Sequence, residues 1–445
     1  MLKKHRMKKM TDKKAVVIGG GLAGVEAANQ LSKRGIKVTL YEMKPQRFSP
    51  AHKTEKLGEL VCSNSLKAAR LGSAAGLLKA EMRLFGSVCL DAAEIAQVPA
   101  GGALAVDRDV FSSLITERIE NDPNITLVRE EVTELPESDI VIIAAGPLMS
   151  DALAEKVSAL CGKEFLSFYD AAAPIVTAES IDMENAFTQS RYDRGGEDDY
   201  INCPLNKEEY EAFYDALVNA EGAELHSFDK KKDVYEGCMP IEVLASRGKD
   251  AMRYGPLKPV GLTNPKTGHR PWANLQLRKE NKDGTMYNLV GFQTNLKFPE
   301  QKRVFSMFPA LKNAEFVRYG VMHRNTFLNS PGLLNQDFSM KKAPHIYFAG
   351  QISGVEGYME SAASGILAGY NAARRIFGEE PISLPKITML GALSQYISDE
   401  SVKNFQPMGA AIGIIDPLDE KIKDKAARYL RVAERSMEYY KTIEL

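Results

Sequence analysis

The sequence is poor in the features that mark secreted, membrane and metal-binding chains. It has only five cysteines, Cys62, Cys89, Cys161, Cys203 and Cys238. Their number is odd, their spacings are wide and no Cys-x-x-Cys pair occurs. That argues against a disulfide framework, a zinc site or a dithiol redox centre, and no metal is expected. Scattered free thiols suit a reducing compartment. No apolar run approaches the roughly 18 residues a membrane span needs. The basic N-terminus, MLKKHRMKKMTDKK, lacks the apolar segment of a secretory signal. The expected location is the cytoplasm. An excess of charge of one sign is missing too. The formal net charge is −1, so any surface for a polyanion has to be local. No low-complexity tract or fixed-period repeat stands out.

What is present points to an α/β protein. A chain of 445 residues exceeds one compact core, and two domains are expected. Ala15 to Ile18 forms a short apolar run and Val38 to Tyr41 a second, both predicted strands. Between them, Leu22, Val25, Ala28 and Leu31 recur every three residues and predict a helix to about Lys33. This is a βαβ unit. Asp139 to Ala145 and His345 to Ala349 are further predicted strands, each followed by Gly. From about Leu166 the character changes to β-rich stretches broken by polar, Gly- and Pro-rich loops. The expected layout is a nucleotide domain from 13–165 and 325–445, with residues 166–324 inserted as an α+β domain. The tail from Asp416 predicts an amphipathic helix with Ile422, Ala426, Leu430, Ala433 and Met437 on one side.

Gly19-Gly20-Gly21-Leu22-Ala23-Gly24 fits G-x-G-x-x-G between a strand and a helix. Gly19 permits a tight turn, Gly21 lets a pyrophosphate approach, and Gly24 lets helix and strand pack closely. The helix N-terminus offers free N–H groups to phosphates. Glu42 lies 18 residues after Gly24, where a carboxylate can accept from ribose hydroxyls. The motif does not choose between FAD and NAD. A second strand-to-helix junction does, at Gly350-Gln351-Ile352-Ser353-Gly354. It resembles the two-part FAD fold, in which the following helix points at the flavin. Gly357, Ser361, Gly365 and Gly369 make one side of that helix thin. The expected fold is a two-part Rossmann-like FAD-binding domain, a parallel sheet with flanking helices.

Cys62 and Cys238 have polar or turn-forming neighbours, whereas Cys89 and Cys161 read as core residues. With ELVCSNSLK (59–67), YEGCMPIE (235–242), NLVGFQTNLKFPEQKRVF (288–305), VRYGVMHRNTF (317–327) and FAGQISGVEGYMES (348–361) in view, the chain resembles the folate- and FAD-dependent tRNA (uracil-5-)-methyltransferases, the TrmFO family. The resemblance spans nearly the whole chain. It implies transfer of a carbon from 5,10-methylenetetrahydrofolate to carbon 5 of a uridine in the T-loop of tRNA, with FAD reduced by NADPH or NADH. It also implies Cys238 as the nucleophile toward uracil and Cys62 as its proton-handling partner, roles that could be exchanged. The Gln after Gly350 belongs to the family pattern. The same chemistry on ribosomal RNA, or another FAD-dependent oxidoreductase, are the alternative readings.

From Lys230 to Arg303 there are 15 Lys and Arg against 7 Asp and Glu. Lys230, Lys231, Lys232, Arg247, Lys249, Arg253, Lys258, Lys266, Arg270, Arg278 and Lys279 could form a cationic surface, with Tyr254 and Trp272 available to stack on bases. His323 and Arg324 are further candidates for contact with substrate or flavin.

Overall fold

A computed structural model of the chain describes residues 13–162, 166–193, 196, 199–223 and 239–445, the side chains of 167–170, 193, 323 and 324 apart. Cys238 and Lys230 to Lys232 therefore lie outside the described residues, as do the side chains of His323 and Arg324.

The main sheet has six strands in the order Ser339–Met340, Ala343–Phe348, Ile140–Ile143, Lys14–Ile18, Lys37–Tyr41 and Ile125–Val128. The last five pair in parallel, and only the short Ser339–Met340 edge is antiparallel. Parallel sheets are covered on both faces, which explains why the inner strands read as apolar runs rather than alternations. Ala15 to Ile18 and Ile140 to Ile143 are all buried. With helices flanking it, this is the expected α/β arrangement.

The helix Leu22–Lys33 is buried almost all round, well beyond its apolar stripe. Its polar residues are matched to one turn. Glu26 accepts from Val88 N (3.2 Å), Cys89 N (3.0 Å) and Ser87 Oγ, and Gln30 donates to Phe85 O (2.9 Å). A buried polar group without such partners would cost about 1–3 kcal/mol. On its other side lies the long helix Tyr358–Phe377. A Cβ at Gly365 would lie 2.1 Å from Ala23 O, and one at Gly369 would lie 2.6 Å from Ala27 O. Gly365 and Gly369 of the small-residue face read from the sequence thus make the contact between these two helices, whereas Gly357 takes the N-cap position of the helix, beside Glu360 and Lys67.

A second hydrophobic core, from Val176 to Ala314, sits apart from the first. It lies around an antiparallel six-stranded sheet in the order Phe187–Thr188, Tyr200–Leu205, Ala273–Lys279, Met286–Leu289, Ile175–Thr177 and Phe316–Arg318. Leu166–Ala171 pairs antiparallel with Met322–Phe327, so the chain enters and leaves this region through one ribbon.

The tail helix runs from Lys425 to Tyr440, and its buried face meets the expected stripe only at Ala433 and half-buried Met437. Val432, Ala433, Ser436 and Tyr440 are buried, whereas Ala426 and Leu430 are exposed and Ile422 precedes the helix. A buried carboxylate sets the rotation. Glu81 accepts from Met389 N and Leu390 N (2.8 Å each), Ser436 Oγ (2.6 Å) and Tyr440 Oη (3.3 Å). Polar anchors of this kind are invisible to an apolar count.

Two outcomes are expected. Gly365→Ala places a methyl against backbone that cannot yield, which should cost about 1–3 kcal/mol or more and lower the melting temperature. Burial pushes the Glu81 carboxyl up to about 7, against the opposing pull of its hydrogen bonds. Its folded value lies above the unfolded one, so its stabilising contribution is full below about 4.5 and lost as pH rises through about 7. Melting temperatures from pH 5 to pH 8 should therefore fall less in Glu81→Gln than in the parent; equal slopes would show that Glu81 does not titrate there.

Candidate functional site

At the end of the first strand Gly19 has φ +106°, and a Cβ there would lie 2.5 Å from Ala144 O. A Cβ at Gly24 would lie 1.8 Å from Gly19 O, so only glycine lets the helix approach the strand this closely. Gly21, by contrast, faces open space. Glu42 is buried and oriented by backbone amides, accepting from Gly20 N (2.8 Å) and Lys44 N (3.0 Å). At the second junction Gly350 has φ +85°, and its N–H donates to Ser364 Oγ (2.7 Å). A single 3-10 turn, Gln351–Ser353, then precedes the helix that starts at Tyr358.

Both junctions open into one cavity of about 420 Å³. Gly19, Gly20, Gly21, Leu22, Ala23, Glu42, Cys62, Gly350 and Gln351 all line it, so the structure brings together nearly every described site residue expected from the sequence. Gly24 is set back in the helix–strand contact. The helix ends facing the cavity differ from most others. Side chains of Ser73, Ser87, Asp107, Ser150, Asn206, Thr388 and Asp424 cap seven helices. Helices Leu22–Lys33 and Tyr358–Phe377 have glycine at that position and no side-chain cap. Their first intrahelical bonds, Val25 N to Gly21 O and Ser361 N to Gly357 O, leave the preceding amides without helical acceptors. Two positive helix ends on one cavity suit a ligand with anionic groups, as a dinucleotide has. These residues fit FAD.

Cys62 sits at the edge of this cavity on a loop held from several sides. Its N–H and that of Ser63 both donate to Tyr358 Oη (2.7 and 3.2 Å), at the head of the second helix. Arg108 donates to Leu60 O (2.8 Å) and Cys62 O (3.3 Å), and Arg318 to Val61 O. Arg278 donates to Asn64 Oδ1 and Ser63 Oγ (2.9 Å each). Buried Glu280 pairs with Arg108. The Cys62 thiol is half-buried and donates to Ala171 O (3.3 Å). Burial, and then the nearby Cys62 sulfur, raise Tyr358 well above the usual phenol range, so it is neutral and keeps a proton to donate. Cys89, Cys161 and Cys203 are buried, and burial pushes each thiol up, Cys161 to about 11, which keeps them inert.

Arg108, Arg318 and Tyr358 had no role in the sequence reading; the first two act across 46 and 257 residues of chain, a distance that leaves no periodic signal. Tyr358 was within reach, since it lies in FAGQISGVEGYMES.

The expected cationic surface needs a correction. Arg278 is buried at 6% exposure and serves the Cys62 loop instead. Trp272 stands at the opposite end of the same stretch, roughly 20 Å away at the rise of a β-strand. Its ring is covered by the Arg253 guanidinium at 3.8 Å, whereas Tyr254 is 86% exposed. Among the described residues, no cluster of His, Cys, Asp or Glu is placed to hold a metal, and no helix is long and apolar enough to cross a membrane.

The fold and site define a two-part dinucleotide-binding protein with a thiol beside the nucleotide cavity. Residues 14–380 match the family model of glucose inhibited division protein A. The solved structure of Aquifex aeolicus GidA superposes at a TM-score of 0.67 with 17% identity, covering 97% of this chain and 75% of that one, a likeness of fold. The methylenetetrahydrofolate--tRNA-(uracil-5-)-methyltransferase TrmFO of Acetivibrio thermocellus is 59% identical over 96% of this chain and 97% of its own length. That of Caldicellulosiruptor bescii is 58% identical over 95% and 97%. The chain belongs to the TrmFO family.

Removing Arg108 alone takes from buried Glu280 its direct ion-pair partner and leaves only the more distant Arg278 and Arg318 to offset its charge. Arg108→Met should cost about 3–5 kcal/mol, and Arg108→Met with Glu280→Leu should recover much of it, read by urea denaturation. A double variant as unstable as the single one would mean that the loop carbonyls, not the ion pair, carry the cost.

Proposed function

We propose that this chain methylates carbon 5 of a T-loop uridine in tRNA, using 5,10-methylenetetrahydrofolate as carbon donor and NADPH or NADH as reductant. The observation that carries the reading is the Cys62 thiol, which opens onto the same cavity as two uncapped helix ends, in a chain more than half identical to relatives bearing that activity in their names. Gly19 to Ala23 and Glu42 would hold the adenosine diphosphate portion of FAD, with Gly24 letting the helix pack close behind them, and Gly350 and Gln351 would hold its flavin portion. Bound and reduced, FAD supplies the two electrons that turn a methylene into a methyl group.

The remaining chemistry belongs to thiols. Carbon 5 of uracil is a weak nucleophile. A thiolate adding to carbon 6 pushes electrons onto carbon 5, which then bonds to the folate-derived carbon. Carbon 5 must next lose its proton to a base, and the electrons left behind break the bond from the bridging carbon to the folate nitrogen, releasing tetrahydrofolate and leaving an exocyclic methylene. Cys62 takes that proton, and Cys238 is the nucleophile that bonds to carbon 6 and leaves as the methylene is reduced. Tyr358, Arg108 and Arg318 keep the Cys62 loop in place. Residues 166–324 form the substrate- and RNA-contacting unit, and exposed Tyr254 near Trp272 offers it an outlying contact.

The test is to incubate the FAD-loaded chain with unmodified tRNA transcript, carbon-labelled methylenetetrahydrofolate and NADPH, with 5-methyluridine read by mass spectrometry. Label in the T-loop uridine is expected, and Cys62→Ala should lower its formation by at least about a hundredfold, the scale of a lost acid–base group. NADPH consumption with unlabelled tRNA would overturn the assignment, and label in ribosomal RNA alone would redirect it.

A further inference from the structure

Three aromatic rings lie parallel on the surface of the second unit. Phe298, the first residue of the helix Phe298–Phe305, is 51% exposed. Its ring stacks on Tyr319 at 4.8 Å and 14°, and Tyr319 stacks on Phe316 at 5.4 Å and 8°. Most ring pairs in the core below meet edge to face instead, such as Phe213 with Phe308 at 65° and Phe292 with Phe305 at 64°. Phe316 and Tyr319 are three residues apart and would point to opposite faces of a regular strand. The pairing of Phe316–Arg318 with Ile175–Thr177 shifts register between Phe316 and Arg318, and such irregularities re-aim side chains. The same segment sends Arg318 inward to Val61 O.

The residues on either side of Tyr319 reach the surroundings of the thiol, Arg318 through Val61 O and Gly320 through Ala172. Gly320 lies against Ala172, where a Cβ would sit 2.7 Å from the Ala172 carbonyl oxygen, and the carbonyl of Ala171 accepts the Cys62 thiol proton. Five residues before Phe298, Gln293 lines the cavity. Exposed Lys302 follows Phe298 by four residues, on the same helix face. A flat, half-open ring stack with a cation on its rim fits an unpaired base and its phosphate.

We propose that Phe298, Tyr319 and Phe316 form a platform that stacks a base of the RNA substrate beside the target uridine, with Lys302 at its phosphate. The proposal rests on the RNA reading above. A uridine whose carbon 6 must meet a thiol has to leave its own stack, and its neighbours then lose a stacking partner. The platform replaces that partner.

The test uses the full-length, FAD-loaded chain and fluorescein-labelled tRNA transcript, with binding read by anisotropy. Phe298→Ala should weaken binding roughly 5- to 150-fold, the range for loss of one stacked base, while Phe298→Tyr stays near the parent. Phe298→Trp should show emission quenched by tRNA beyond any change in the parent. Retained FAD absorbance reports that each variant is folded. Parent-like affinity in Phe298→Ala, or no added quenching in Phe298→Trp, overturns the platform alone. A raised KM for methylenetetrahydrofolate with unchanged tRNA affinity assigns the rings to the folate and overturns it as well. A parent that does not bind tRNA overturns both the platform and the RNA reading.

Discussion

Two helices touch backbone to backbone in this protein, and most of the site follows from that contact. Gly365 and Gly369 let Tyr358–Phe377 approach Leu22–Lys33 until Ala23 O and Ala27 O occupy the space of missing side chains. The strands that feed these helices lie on either side of Ile140–Ile143 in one parallel sheet. Both strand-to-helix junctions therefore reach the same edge, and both helix ends meet one cavity. Any larger residue in the contact would spread the ends apart and divide the anion-attracting field between two places.

That geometry leaves a demand for dry, ordered surroundings, which arginines and carboxylates meet. The Cys62 loop spends its carbonyls on Arg108 and Arg318 and its amides on Tyr358. Arg108 belongs to the first core region, whereas Arg278, Glu280 and Arg318 come from the stretch around the second. The loop is thus a shared part. Neither core alone supplies all of its partners, and Glu280 ties the two sets of charges together.

Local patterns made the nucleotide half legible. The helix expected from Leu22 to Lys33 has those limits, and Gly365 and Gly369 of the small-residue face proved to be a helix–helix contact. Those features act over a few residues, and periodicity records them. Cys62 and Cys238 differed from Cys89 and Cys161 in their polar neighbours, but only family resemblance implied a role for them, and the partners of Cys62 are distant in sequence. The tail helix was rotated from its apolar stripe by Glu81, and Arg278 was turned inward by Asn64 and Ser63. A polar side chain that finds a buried partner overrides the statistics of its type, and a single sequence carries no sign of that partner.

Tyr358 joins two tasks at one atom. Its hydroxyl holds the amides of Cys62 and Ser63, and its backbone begins the helix whose open end faces the cavity. A ligand that steadies this helix end also steadies the thiol loop, and by reciprocity a loop closed on its substrate tightens the hold on that ligand. Occupancy of the cavity and order of the thiol loop are then linked through one side chain, so that a change at either is felt at the other.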